Sequence, residues 1–198
     1  VIASPTVTTT YTISGTHPAA GCASSATLTV SVNALPTISA GSSVAICRGS
    51  STTLNATGGT SYSWSPSTGL SCTTCASPVA SPTTTTTYTV TGTANGCSRM
   101  ASVTVTVNTL PTVSAGSNVN RCEGVAATLT ASGASTYVWT PATGLSCTTC
   151  SAPSATPSIT TTYTVTGTAS NGCQNTASVT VTITPAPDVV ITGGGVMF

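Results

Sequence analysis

The chain has 198 residues, only 3% of them charged, and a formal net charge of +1. An ordinary soluble domain is about 25% charged, and Ser and Thr take the place of the missing charge here. With three Arg, two acids (Glu123, Asp188), one His (His17) and no Lys, the chain has no basic patch for nucleic acid and no basic amphipathic helix for a membrane surface.

The purely apolar runs are a few residues long, far below the ~20 that span a bilayer. The first residues lack the charged start and apolar centre of a signal peptide. The sequence repeats itself with a period of 75 residues. Leu35-Pro36 returns as Leu110-Pro111, Cys47 as Cys122, Leu54 as Leu129 and Trp64 as Trp139. GLSCTTC at 69–75 returns unchanged at 144–150. A fixed period is the mark of an array in which each repeat is one structural unit.

In chain order, residues 1–34 match only the second half of a repeat, with Tyr11 in the place of Tyr88, Cys22 of Cys97 and Asn33 of Asn108. Residues 35–109 and 110–185 are full repeats. Residues 186–198 read as the first strand of another, with Pro187 matching Pro36 and Pro111. The ends cut through the repeat, so the expectation is an internal piece of a longer protein.

Within repeat one, strands are expected at 36–40, 43–47, 52–57, 60–65, 77–81, 84–92 and 99–108. Val103, Val105 and Val107 alternate with Thr104 and Thr106, the period-two pattern of a half-buried strand. Tyr88 and Val90 continue it on the preceding strand. Val and Thr are β-branched and favour the pleated sheet. Ala94-Asn95-Gly96 reads as the hairpin turn between the two, because Asn-Gly accepts positive φ. Six or seven short strands in 75 residues predict an all-β fold, a tandem array of Ig-like sandwiches. Trp64 and Trp139 are expected between the sheets. Tyr88 and Tyr163 stand where a tyrosine corner would lie. The link Thr109-Leu110-Pro111 is too short to swivel freely. Strand 99–108 is long, regular and free of Lys, so it reads as an open edge able to accept a strand from another chain.

The run CRGSSTTLNATGGTSYSWSPSTGLSCTTCASPVASPTTTTTYTVTGTANGCS resembles the PKD-like/Ig-like repeats of giant Bacteroidota surface proteins, including gliding-motility adhesins and other type IX secretion cargo. The shared motifs are C-x-G, Y-x-W-[ST]-P, G-L-S-C-T-x-C, T-T-T-Y-T-V and N-G-C. The resemblance implies export, surface display and a stalk or adhesive role.

Nine cysteines are present, at matching places in each repeat, and regular cysteines in small β units point to an oxidising compartment. Cys72 with Cys75 and Cys147 with Cys150 are expected as local disulfides. A zinc site that adds Cys47 and Cys97 lacks a nearby second-shell group, and a redox pair lacks a helix N-terminus or a cation.

Cys47 and Cys97 fall at opposite poles of a repeat. A strand of nine residues spans ~30 Å, whereas a disulfide needs Cα atoms within ~7 Å. This favours Cys47 with Cys173, between repeats. The pairs within a repeat, Cys47 with Cys97 and Cys122 with Cys173, are the alternative that the resemblance implies. Cys22 is left to a partner elsewhere.

No cofactor or metal is expected, since two acids cannot build a calcium cage, and His17 is the only His available to a catalytic triad, so no enzyme is expected. The sequon Asn55-Ala56-Thr57 has no copy in repeat two. The Thr-rich strands also fit ice binding or O-glycosylation. The expected partners are neighbouring repeats, identical chains in a filament, or surface glycans. The functional expectation is an extracellular structural stalk. The alternatives are a self-assembling filament and a carbohydrate-binding module.

Overall fold

The computed structural model describes residues 1–187; most of the strand expected at 186–198 lies outside the described residues. Two compact units emerge, Val1–Val107 and Asn108–Phe198.

The first unit opens with a hairpin, β1 (Thr9–Thr16) and β2 (Ala23–Val30), paired antiparallel from Thr9↔Val30 to Thr16↔Ala23. Repeat one follows as β3 (Val44–Cys47), β4 (Thr52–Thr53), β5 (Ser61–Ser65), β6 (Val79–Ala80), β7 (Thr86–Ala94) and β8 (Cys97–Asn108). One sheet has the order β3-β8-β7-β5 and the other pairs β4 with β6.

The second unit repeats the plan. Its strands are β9 (Val119–Cys122), β10 (Ala127–Thr128), β11 (Thr136–Thr140), β12 (Ser154–Ala155), β13 (Thr161–Thr168) and β14 (Gln174–Thr184). They form sheets β11-β13-β14-β9 and β10-β12.

The alternation of Val and Thr decides which way each strand faces. Tyr88, Val90, Val103 and Val105 point inward and are buried with Trp64, Leu54 and Ala80. Their copies Tyr163, Val165, Val179 and Val181 are buried with Trp139, Leu129 and Ala155. The hydroxyls on the other face pair across the strands, Thr87 with Thr104 at 2.8 Å and Thr162 with Thr180 at 2.9 Å. At the β7–β8 turn Asn95 and Gly96 have φ of 51° and 76°, and Ala94 faces Cys97. That is the two-residue turn whose twist suits a hairpin.

Three expectations need correction. Strand 99–108 is not an open edge throughout, because β8 lies between β7 and the four-residue β3. In repeat two the matching contact is a parallel ladder, Val181↔Val119 to Thr184↔Cys122. Where that ladder begins, a side chain stands in for a strand. Ser43 Oγ accepts from Thr104 N at 3.1 Å, and Asn118 Oδ1 from Thr180 N at 2.9 Å.

Strand 36–40 shrinks to one bridge, Ser39↔Thr57, and strand 52–57 to β4. Beyond β4, Leu54 N donates to Pro78 O and Ala56 N to Ala76 O. Pro78 has no N–H to return, so the ladder is one-sided and loses regular strand character.

Gly58 and Gly133 allow the first segment to cross its sheet. Both have φ of +87°, and a Cβ there would overlap the carbonyl oxygen of Thr37 or Thr112. We expect Gly58→Ala to lower stability by more than the ~1–2 kcal/mol of a left-handed L-residue, read as a lower urea midpoint. An unchanged midpoint would mean that the crossing is loose.

Candidate functional site

The tryptophans and the CxxC loops form one assembly. Cys72 is bonded to Cys75 and Cys147 to Cys150, each with Cα atoms 6.1 Å apart. The closed loop lies along β5, the edge of its sheet. Trp64 N donates to Thr73 O at 2.8 Å, and the indole Nε1 to Cys75 O at 3.0 Å. Repeat two does the same, with Trp139 N to Thr148 O at 2.7 Å and Nε1 to Cys150 O at 3.1 Å. The strand edge that would otherwise template another chain is therefore occupied by the loop. Both tryptophans are buried, so neither offers a flat platform to a sugar.

The buried tyrosines hold the same segment from its other side. Tyr88 Oη donates to Thr68 O and Tyr163 Oη to Thr143 O, both at 2.8 Å. These bonds reach 20 residues back along the chain, further than the few residues of an ordinary tyrosine corner. Burial pushes the Tyr88 phenol up, partly offset by the Thr86 side chain. Burial likewise raises Tyr163.

A raised folded pKa keeps its stabilisation in full below the unfolded value near 10 and loses it as pH climbs through the folded value. Alkaline unfolding should therefore begin above about pH 10. Tyr88→Phe/Tyr163→Phe should flatten that limb of the stability profile, and an identical limb in the double variant would assign it elsewhere.

The remaining cysteines sit at the poles of the repeats. Cys122 ends β9 opposite Thr184, at one end of β14. Cys173 immediately precedes Gln174, at the other end. The eleven residues of β14 span roughly 35 Å, far beyond disulfide reach. Cys97 and Cys122 are free thiols. Neither in-repeat pair, Cys47 with Cys97 or Cys122 with Cys173, is therefore formed. Cys173 is buried. Cys22 is a free, exposed thiol on the β1–β2 turn, where His17 N donates to Cys22 O at 2.9 Å and His17 Nδ1 accepts from Ala19 N at 3.4 Å.

Nothing in these positions assembles a reactive centre. Among the described residues no group of three or more His, Cys, Asp or Glu could hold a metal. The four-thiolate reading fails because Cys72 and Cys75 are joined to each other. A cleft of about 360 Å³ at Pro111, Gly133 and Asn171 carries no titratable side chain. Neither does one of about 340 Å³ beside Gly41 and Asn55. Asn55 of the sequon accepts a hydrogen bond from Ser77 Oγ at 3.0 Å. No helix among the described residues is long and apolar enough to cross a membrane.

Sequence reasoning missed Tyr62 and Tyr137. Tyr62 Oη donates to Gly59 O and accepts from Gly59 N, and Tyr137 does the same with Ala134. Each closes the turn before the tryptophan strand. The visible signal was a Tyr two residues before each Trp.

The chain is a tandem of all-β, Ig-like sandwiches, a class defined by its own strand order and paired cores. It is similar in fold to the titin I-band fragment I67–I69, at 16% identity and a TM-score of 0.40, over 78% of this chain and 67% of that one. It is also similar to extracellular domains 3–5 of Drosophila OTK, at 9% identity and a TM-score of 0.42, over 84% and 68%. For DIP-gamma IG1+IG2 the values are 12%, 0.37, 76% and 98%. These are likenesses of fold alone. No protein family description matches the chain, and no curated protein does.

Proposed function

We propose that this chain is a structural stalk: a repeat region of a secreted, cell-surface adhesin of the giant Bacteroidota type, exported by type IX secretion and serving gliding or attachment. The observation that carries the reading is the duplication of one sandwich with its edge-closing loop, Trp64 with Cys72–Cys75 and Trp139 with Cys147–Cys150. Two copies of a scaffold without acid–base groups in their clefts suit spacing and load better than catalysis. Closed disulfides support an oxidising compartment outside the cell. In this reading Cys47 of repeat one bonds Cys173 of repeat two and staples the two repeats together. The hydroxyl-rich outer faces are the place for O-glycans, which would keep so uncharged a surface soluble.

The test joins X-ray scattering with non-reducing peptide mapping by mass spectrometry. An elongated monomer with a Cys47–Cys173 link and sugar on Thr or Ser supports the stapled stalk. Concentration-dependent polymers would replace it with the filament. A Cys47–Cys97 link would end the staple.

A further inference from the structure

The hairpin β1–β2 carries, uncovered, the residues that fill the core of a full repeat. Tyr11, Ile13 and Leu28 hold the places of Tyr88, Val90 and Val103, and the pairing Tyr11↔Leu28 repeats Tyr88↔Val103. In repeat one these side chains are 0%, 0% and 2% exposed; on the hairpin they are 36%, 66% and 59% exposed. Gly15 holds the place of Gly92 and Gly167. A Cβ would meet Ile38 Cδ1 at Gly92 and Val113 Cγ2 at Gly167, but at Gly15 it would meet nothing within 4 Å. Ile2-Ala3 match Val79-Ala80 of β6, and they line a cleft of about 550 Å³ with Tyr11, Ile13 and Leu28.

We propose that this face is a docking site for the first half of a repeat of the same type, a segment with the pattern of residues 35–77. What covers the equivalent face is visible in both full repeats. It is a segment without charge on its inner side, bringing an Ile or Val to the glycine slot, a Leu, and one Trp as the main filler. Such a segment supplies the counterparts of β3, β4 and β5. The hairpin and Ile2-Ala3 supply those of β6, β7 and β8.

The same docking places a thiol beside Cys97. In repeat two β9 pairs with residues 181–184, and Cys122 faces Thr184. The equivalents on the hairpin are residues 30–33, and β2 stops at Val30, where the third strand would take hold. A first half docked in this register sets its C-x-G cysteine opposite Asn33, about 5 Å away across the ladder. Cys97 Sγ already lies 3.8 Å from Asn33 O, and Asn33 Nδ2 donates to Asn95 O at 2.7 Å. The docked cysteine and Cys97 then lie within the range that a disulfide spans.

Glutathione disulfide serves as oxidant. Cys97 thiolate opens it and releases one glutathione. The docked cysteine thiolate then attacks the Cys97 sulfur of the mixed disulfide and releases the second. Two thiols are oxidised and one glutathione disulfide is reduced.

The inference extends the inter-repeat staple to the first hairpin but does not need the stalk role. The test mixes the full chain with a separate, isotope-labelled polypeptide of residues 35–77 in a glutathione redox buffer. We expect a one-to-one complex by native mass spectrometry, with a link from the labelled Cys47 to Cys97 of the chain. Ile13→Glu/Leu28→Glu should weaken capture at least tenfold and abolish the link, while repeat two melts as before. No complex, a complex in which Cys97 stays free, or equal capture by the variant would overturn the proposal. Mapping the chain alone reports Cys47–Cys173 separately, so failure of the staple and failure of the docking site are distinguishable.

Discussion

Trp139→Ala should unfold repeat two while leaving repeat one folded. A domain of about 75 residues has roughly 4–11 kcal/mol of stability at 0.05–0.15 kcal/mol per residue. Truncating a buried Trp costs about 3–5 kcal/mol through lost burial and the cavity left behind. The change also removes the indole bond to the Cys150 carbonyl, a further ~1 kcal/mol. The sum takes most of what one small sandwich has.

The chain has two tryptophans, one per repeat, so each variant leaves a single fluorophore reporting on the other repeat. Urea unfolding of Trp139→Ala, followed by fluorescence of Trp64 and by circular dichroism, should show one intact transition and one that is lost or shifted far down. Trp139→Phe keeps the apolar filling and should cost considerably less. Two undisturbed transitions in the alanine variant would mean that the core does not depend on the indole.

Strong reductant should lower the melting temperature of both repeats by about 8–16 °C. Closing a ring as small as Cys72–Cys75 removes roughly 2 kcal/mol of entropy from the unfolded chain. Domains of this size shift about 4–8 °C per kcal/mol. The folded state is affected as well, since the ring fixes the carbonyls that Trp64 uses on the edge of β5. Calorimetric scans with and without a phosphine reductant measure the difference. Superimposable scans would show that the loops hold their shape without the bond.

The local parts of the fold could be read in the residues. Alternating Val103, Val105 and Val107 announced β8 and its buried face. Asn95-Gly96 gave the turn, and the repeat gave the second copy. Two things were hidden for physical reasons. The place of β3 alongside β8 depends on contacts between residues some 60 apart, such as Ser43 with Thr104, and no local pattern encodes which strand lies beside which. This is why strand 99–108 read as an edge. The weak ladders around Ser39 and Leu54 were hidden because β propensity does not register a one-sided contact with Pro78.

The cysteines divide the same way. The CxxC spacing proclaims its own closure, whereas the position of Cys97 beside Asn33 follows only once the hairpin and repeat one are seen in one unit. The importance of Tyr11, Ile13 and Leu28 shows only when their exposure is set against the burial of their copies.

The parallel contact between β9 and the end of β14 bears on how a repeat would carry tension. The chain enters repeat two ahead of β9 and leaves it beyond Thr184. Pulling the two ends apart drags β9 and β14 lengthwise in opposite directions. The pairs from Val181↔Val119 to Thr184↔Cys122 are then loaded together, in shear. An antiparallel hairpin pulled from its open end would peel one bond at a time. Rupture in shear requires several hydrogen bonds to fail at once, so a four-residue strand can act as a mechanical clamp out of proportion to its length.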